Sequence, residues 1–170
     1  MKKFKKIKIK MERMVNKMNV ILLNPEIHVN TGNIGRTCVL TNTNLHLIKP
    51  LGFELDDKKI RRAGLDYWKD VKLFVWENWE HFWKENIENG NAKIYFATTK
   101  TKQRYTDVKF NDNDYIMFGP ESRGIPEEIL NKYKESNITI PMLPLGRSLN
   151  LSNAVAVVLF EALRQNNFEY

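Results

Sequence analysis

A mostly parallel α/β sheet with helices on both faces is the fold class predicted for residues 18–170, and three observations carry it. Short apolar runs alternate with stretches of helical patterning. The runs are nearly all-apolar, as strands buried on both faces require. Their carboxyl ends open into turns rich in small and polar residues. In order, 20–23 reads as a strand, and a Pro/Asn/Gly-rich turn leads to a helix at 34–41 with Thr31 or Asn33 as its cap. The next strand is 45–48, closed by Lys49-Pro50-Leu51-Gly52. Residues 57–69 look helical but very polar, and 71–75 reads as a third strand. A helix at 79–87 carries Trp79, Phe82 and Trp83 on one side. Strands at 94–97 and 115–118 precede a helix at 126–133, which opens on a proline suited to a first turn. A strand at 138–140 and an apolar helix at 151–164 complete the pattern.

Composition narrows the class further. A chain of 170 residues with 42% hydrophobic content suits one domain, large enough to bury about 70% of its unfolded surface without a metal or disulfide staple. Cys38 is the single cysteine, so no intramolecular disulfide framework and no cysteine-rich zinc site can form. The longest apolar run, residues 154–160, is far short of the ~20 residues of a membrane span. A cytoplasmic protein with no membrane partner is the expectation.

The formal charge of +7 suggests a polyanionic partner until its distribution is read. Residues 1–17 hold eight basic side chains and one acid, so this segment alone accounts for the whole excess, and 18–170 is formally neutral. Residues 1–17 are therefore expected to be a disordered basic N-terminal extension. It either samples phosphates, lies on a surface as an amphipathic segment, or has no specific role. The functional reading rests on 18–170.

In open α/β sheets ligands bind beyond the carboxyl ends of the strands. Four such ends here are candidates to converge on one crevice: 24–33, 98–100, 119–124 and 141–150. A P-loop, a G-x-G-x-x-G turn, a G-x-S-x-G elbow and metal-ligand spacing are all missing, and His28, His46 and His81 are isolated. Cys38 reads as a small buried residue. Within 30–37, a helix cap explains one polar side chain but not Asn30, Asn33 and Arg36 together. Asn33 and Arg36, three apart, share a helix face. In 118–124, Gly119 would let a ligand approach the backbone, with Glu121 as a fixed charge at the strand end. In 147–153, Arg147, Ser148, Asn150, Ser152 and Asn153 exceed what one cap needs, and free N–H groups at that helix start would suit an anion.

Taken together, segments 30–37, 118–124 and 147–153 resemble, in order, the three motifs of the SPOUT class of S-adenosylmethionine-dependent RNA methyltransferases, in its ribose 2′-O-methylating branch. The likeness spans essentially all of 18–170. Residues 56–68, Asp-Asp-Lys-Lys-Ile-Arg-Arg-Ala-Gly-Leu-Asp-Tyr-Trp, look especially like the single-domain TrmL subfamily, which methylates the wobble ribose of cytidine or carboxymethylaminomethyluridine in leucine tRNA. The resemblance implies a C-terminal trefoil knot, a homodimer whose sites are completed by the partner, and tRNA as substrate. It places the cofactor, S-adenosylmethionine, on Ala97, Gly119, Ile140 and Ser148, with Met142, Leu149 and Asn153 nearby. Metal is expected at no step.

The same resemblance makes Arg36 the central catalytic residue, with Asn30, Asn33 and Glu121 around it. A general-base role for Arg36 meets the strong basicity of a guanidinium, whose deprotonation is very costly. The expected role is instead to hold a tRNA phosphate and stabilise the developing oxyanion, while the proton passes to water or phosphate. Asn30 and Asn33 would orient the ribose or Arg36, and Glu121 would fix an arginine or a loop. Lys58, Lys59, Arg61 and Arg62 are the expected RNA contacts, the alternative being a solvated face balanced by Asp56 and Asp57. Two other functions stay open at this point: 2′-O-methylation of another tRNA position or of rRNA, and a non-catalytic RNA-binding module.

Overall fold

The computed structural model describes residues 17–55, 66–88, 90–146 and 148–170. The chain runs β1 (Asn19–Leu23), α1 (His28–Leu40), β2 (Asn44–Ile48), a 3-10 segment (Asp66–Asp70), β3 (Leu73–Trp76) and α2 (Trp79–Asn86). It continues through β4 (Ile94–Ala97), β5 (Tyr115–Phe118), α3 (Glu127–Lys132), β6 (Asn137–Ile138) and α4 (Leu151–Gln165). All six strands form one sheet in the order β3-β2-β1-β5-β4-β6, and every pairing is parallel.

Strand periodicity sorts the core into two layers. Val20 and Leu22 of β1 face α1 and α4, packing in a cluster with Leu45, Leu47, Ile34, Cys38, Val155 and Leu159. Ile21 and Leu23 face the other way, toward Phe82 of α2 and Ile129 and Leu130 of α3. β1 is buried at all five positions, which is why its sequence shows no alternation. The histidine in β2 belongs to the second layer. His46 stacks on Phe74 and meets Phe82 and Tyr115 edge-on. Trp76 donates its indole N–H to Nδ1 of His46 at 3.1 Å, and Nε2 lies 3.3 Å from Oδ1 of Asn19. Those two contacts assign the neutral ring with its proton on Nε2. Burial pushes its pKa down to about 4.

Four boundaries differ from the sequence expectation. α1 begins at His28 rather than near Ile34, because its start is held by a carboxylate from a distant loop, described below. β3 begins at Leu73, since Val71 still closes the preceding 3-10 turn through its N–H to Trp68. It lies at a sheet edge with Phe74 and Val75 exposed, so the third run is not a doubly buried strand. β6 is only Asn137–Ile138, extended by a single bridge from Thr139 to Arg104. The helix expected at 57–69 falls mostly outside the described residues, and its final part, Asp66–Asp70, is 3-10. The basic extension also lies outside the described residues, except for Lys17.

Candidate active site

Register places the site. Ala97 pairs with Phe118 on one side and Ile138 on the other, so the carboxyl ends of β4, β5 and β6 finish side by side. After β6 the chain crosses back over these ends to begin α4, which packs beside α1. The result is a cavity of about 400 Å³, walled by the three strand ends and by the first turns of α1 and α4. That volume lies within the range of small-molecule and cofactor sites.

A chain of hydrogen bonds ties the three sequence segments together. The Glu121 carboxylate, just past β5, accepts from the backbone N–H of Glu26 (2.8 Å) and of Ile27 (3.2 Å), and from Nδ2 of Asn30 (3.0 Å). Oδ1 of Asn30 in turn accepts from Nδ2 of Asn150 at 3.0 Å. Oδ1 of Asn150 caps α4, taking the N–H groups of Ser152 (2.9 Å) and Asn153 (3.4 Å). A reciprocal clasp runs alongside. Ser122 donates its hydroxyl and its amide to the Glu26 carboxylate, at 2.7 and 2.9 Å, which holds that carboxyl below the usual range.

This network corrects several expectations. α1 has no side-chain cap of its own; Ile27 stands at its N-cap position, and Glu121 supplies the acceptor and the negative charge from 94 residues away. Thr31 is therefore no cap, being buried in the helix with its hydroxyl unpartnered. Asn30 is 5% exposed with both ends of its amide engaged by protein, so it braces the site. Glu121 fixes a loop, the second of the two roles expected of it, and among the described residues its bonds go to Glu26, Ile27 and Asn30. The Asn150 side chain takes the N–H groups of Ser152 and Asn153, two of those expected to be open to an anion.

Gly119 has a cause different from the one expected. A Cβ there would lie 2.2 Å from the carbonyl carbon of Gly124 and 2.3 Å from the nitrogen of Ile125, so the loop's own backbone fills the space. Gly124 supplies the positive φ of 71° that turns the loop back.

Of the cofactor candidates, Ala97, Gly119, Ile140, Met142, Ser148 and Leu149 line the cavity, and Asn153 does not. Asn30 and Glu121 line it as well, while Asn33 and Arg36 stand outside on the exposed face of α1. Lys58, Lys59, Arg61, Arg62 and Arg147 lie outside the described residues. The sequence reading placed Glu26, Thr98 and Lys100 in its converging loops without giving them a role, and it missed the α4 residues Leu151, Ala154 and Val158 as parts of the site. The α4 residues carried a helical core pattern and nothing else. Glu26 lies 96 residues from the serine that binds it, with no local signal of the pairing. Cys38 is fully buried and its thiol is pushed up to about 12, which leaves it inert, as expected.

Comparison with known proteins extends the geometry. Residues 17–160 match the model of the SpoU rRNA Methylase family. The tRNA (cytidine(34)-2′-O)-methyltransferase of Methylovorus glucosotrophus is 46% identical over 151 residues, covering 88% of this chain and 96% of that protein. The enzyme of the same name from Saccharophagus degradans is 47% identical over the same length and coverage. A solved structure concerned with the 2-OH methylation of C/U34 on tRNA superposes with a TM-score of 0.82 at 39% identity, covering 89% of this chain and 97% of its own. The SpoU methyltransferase AviRb from Streptomyces viridochromogenes, in complex with AdoMet, shares the fold with a TM-score of 0.75 at 18% identity, over 89% of this chain and 58% of AviRb. Among the described residues no helix is long and apolar enough to cross a membrane.

Proposed function

We propose that this chain, which belongs to the SpoU rRNA Methylase family, methylates the ribose 2′-hydroxyl of nucleotide 34 in tRNA with S-adenosylmethionine as donor. One observation carries the reading: the Glu121–Asn30–Asn150 chain draws three segments, distant in sequence, around one cavity. The names of relatives at 46–47% identity give the nucleotide. Leucine tRNA as the acceptor, carrying cytidine or carboxymethylaminomethyluridine, is the finer part of the proposal, and the cytoplasm is the compartment in which it meets that tRNA.

The residues present fit the cofactor. Ala97, Ile140, Met142 and Leu149 offer an apolar slot for an adenine, and Gly119 and Ser148 bring backbone beside it. Glu121 puts a negative charge on the wall, which suits a sulfonium cation. When bound, S-adenosylmethionine supplies an electrophilic methyl carbon whose transfer to a ribose oxygen leaves S-adenosylhomocysteine and one proton. Arg36 holds a tRNA phosphate and stabilises the developing oxyanion, and the proton passes to water or phosphate. Asn33 shares its face of α1 and orients the ribose. Lys58, Lys59, Arg61 and Arg62 hold the RNA backbone.

Arg36 and Asn33 serve the reaction in a homodimer. Val29, Asn33, Arg36 and Leu40 form an exposed stripe along α1, and Asn153, Val157, Phe160 and Arg164 form another along α4, both at spacings of four, three and four. The two helices pack against each other, so the stripes share one partly apolar face. A second copy related by a two-fold axis on this face would carry the arginine stripe of each copy toward the cavity of the other. Threading of α4 as a trefoil knot belongs to the same proposal.

The test is transfer of a tritiated methyl to purified tRNA, followed by mapping of the labelled nucleotide. Label at position 34, abolished when that ribose is 2′-deoxy, is expected. Label elsewhere in tRNA, or in ribosomal RNA alone, overturns the reading of the substrate. Transfer to no RNA, with RNA still bound, leaves the non-catalytic module instead.

A further inference from the structure

We propose that Tyr67 is a positioning residue for Arg36, holding its guanidinium through the face of the phenol ring so that every N–H donor stays available to RNA. The inference rests on the reaction role given to Arg36 above. The 3-10 segment Asp66–Asp70 docks on α1 at three residues of one helix face. Tyr67 donates its hydroxyl to the Gly32 carbonyl at 2.9 Å. Trp68 lies so close to Gly35 that a Cβ there would come within 2.6 Å of its ring. The guanidinium carbon of Arg36 sits 5.7 Å from the centroid of the Tyr67 ring, within the range of a cation–π contact.

The chemistry of this contact distinguishes it from ordinary docking. Trp68 against a glycine already fixes the segment on the helix. The Tyr67 hydroxyl goes to the carbonyl one turn before Arg36, and its ring goes to the side chain. Arginine on an exposed helix face loses much rotamer freedom when it is ordered. A carboxylate partner could order it, but would occupy the N–H fork and neutralise its charge. Among the described residues no carboxylate pairs with Arg36. An aromatic face orders the group while leaving its edge open to a phosphate or an oxyanion.

The test compares Tyr67→Leu, Tyr67→Phe and Arg36→Ala in the full-length protein. Three quantities are read: the single-turnover rate of methyl transfer to tRNA, the affinity for S-adenosylhomocysteine, and the Arg36 Nε–Hε signal by NMR. In the wild type that signal is expected to be displaced by the ring current. Tyr67→Phe keeps the displacement and more than half the rate. Tyr67→Leu loses the displacement and slows transfer roughly five-fold, the scale of one cation–π contact, with unchanged affinity for S-adenosylhomocysteine and an unchanged melting temperature. In the Arg36→Ala background, Tyr67→Leu has no further effect on rate. An undisplaced Arg36 signal overturns the proposal, as do equal rates in the Leu and Phe variants or a loss that follows the melting temperature. If Arg36→Ala itself transfers at the full rate, the role of Arg36 has failed, whatever its NMR signal shows.

Discussion

Replacing Glu121 with Gln keeps the shape of the side chain and removes what the structure asks of it. The carboxylate accepts three hydrogen bonds, and one oxygen serves only the Glu26 amide, at 2.8 Å. A glutamine that keeps its oxygen toward Ile27 and Asn30 turns an NH2 group toward the Glu26 N–H, leaving two donors facing each other. The loss of one charge-assisted bond costs about 1.5–3 kcal/mol. The missing charge at the start of α1 adds about 0.3–1 kcal/mol. A total near 2–4 kcal/mol corresponds to a fall in Tm of roughly 5–12 °C for a chain of this size. Thermal unfolding by calorimetry reads the global effect, and amide exchange at residues 26–30 reads the local one. A double-mutant cycle with Asn30→Ala should give a coupling above about 0.5 kcal/mol, since the two side chains share a bond. A Glu121→Gln protein that melts within about 1 °C of wild type, with unaltered exchange at the start of α1, would refute the view that this carboxylate holds the site together.

Three further perturbations test separate parts of the account. Gly119→Ala forces a methyl into the backbone at Gly124 and Ile125, which must shift to admit it. It should destabilise by at least ~1–3 kcal/mol and weaken binding of S-adenosylhomocysteine in calorimetric titration; wild-type values of both would sink the packing argument. Phe160→Asp, on the exposed α4 stripe, should turn a dimer into monomers in analytical ultracentrifugation while leaving the circular dichroism spectrum unchanged, and a persisting dimer would move the interface elsewhere. His46 sets a pH dependence. Its folded pKa of about 4 lies below the unfolded value of 6.5, so its contribution is complete above about pH 6.5 and is lost as pH falls toward 4. The total is about 3 kcal/mol. Urea unfolding between pH 6.5 and 5, above the range where the carboxylates titrate, should show a slope that His46→Gln flattens; equal slopes in the two proteins would contradict the buried neutral ring.

The fold was legible because the strands are short, apolar and separated by helices, and that arrangement leaves a parallel sheet as the simplest solution. Its edges were less so. β3 and β6 take their bounds from neighbours, namely a 3-10 turn ending at Val71 and a lone bridge to Arg104. At the site, the segments holding Asn30 and Asn150 stood out by carrying more polar groups than capping explains, and the one holding Glu121 by a glycine and a fixed charge at a strand end. What those groups do was hidden. Asn30 reads locally as a residue placed to orient a ribose or Arg36, and only its contacts with Glu121 and Asn150, 91 and 120 residues away, make it a buried brace. Gly119 reads locally as a place for ligand approach, whereas its cause is the return of its own loop. Arg36 and Asn33 were legible as a shared face, and the structure puts that face outside the cavity of the same chain. That displacement is why the account needs a second copy.

Hydrogen exchange on the full-length protein, with and without S-adenosylhomocysteine, bears most directly on the convergence of distant segments into one binding cavity. The account predicts that backbone amides at 97–100, 118–124, 138–142 and 148–151 gain protection together, while the β3 edge at 73–76 does not change. Protection confined to one of those four segments, or appearing only outside them, would contradict it.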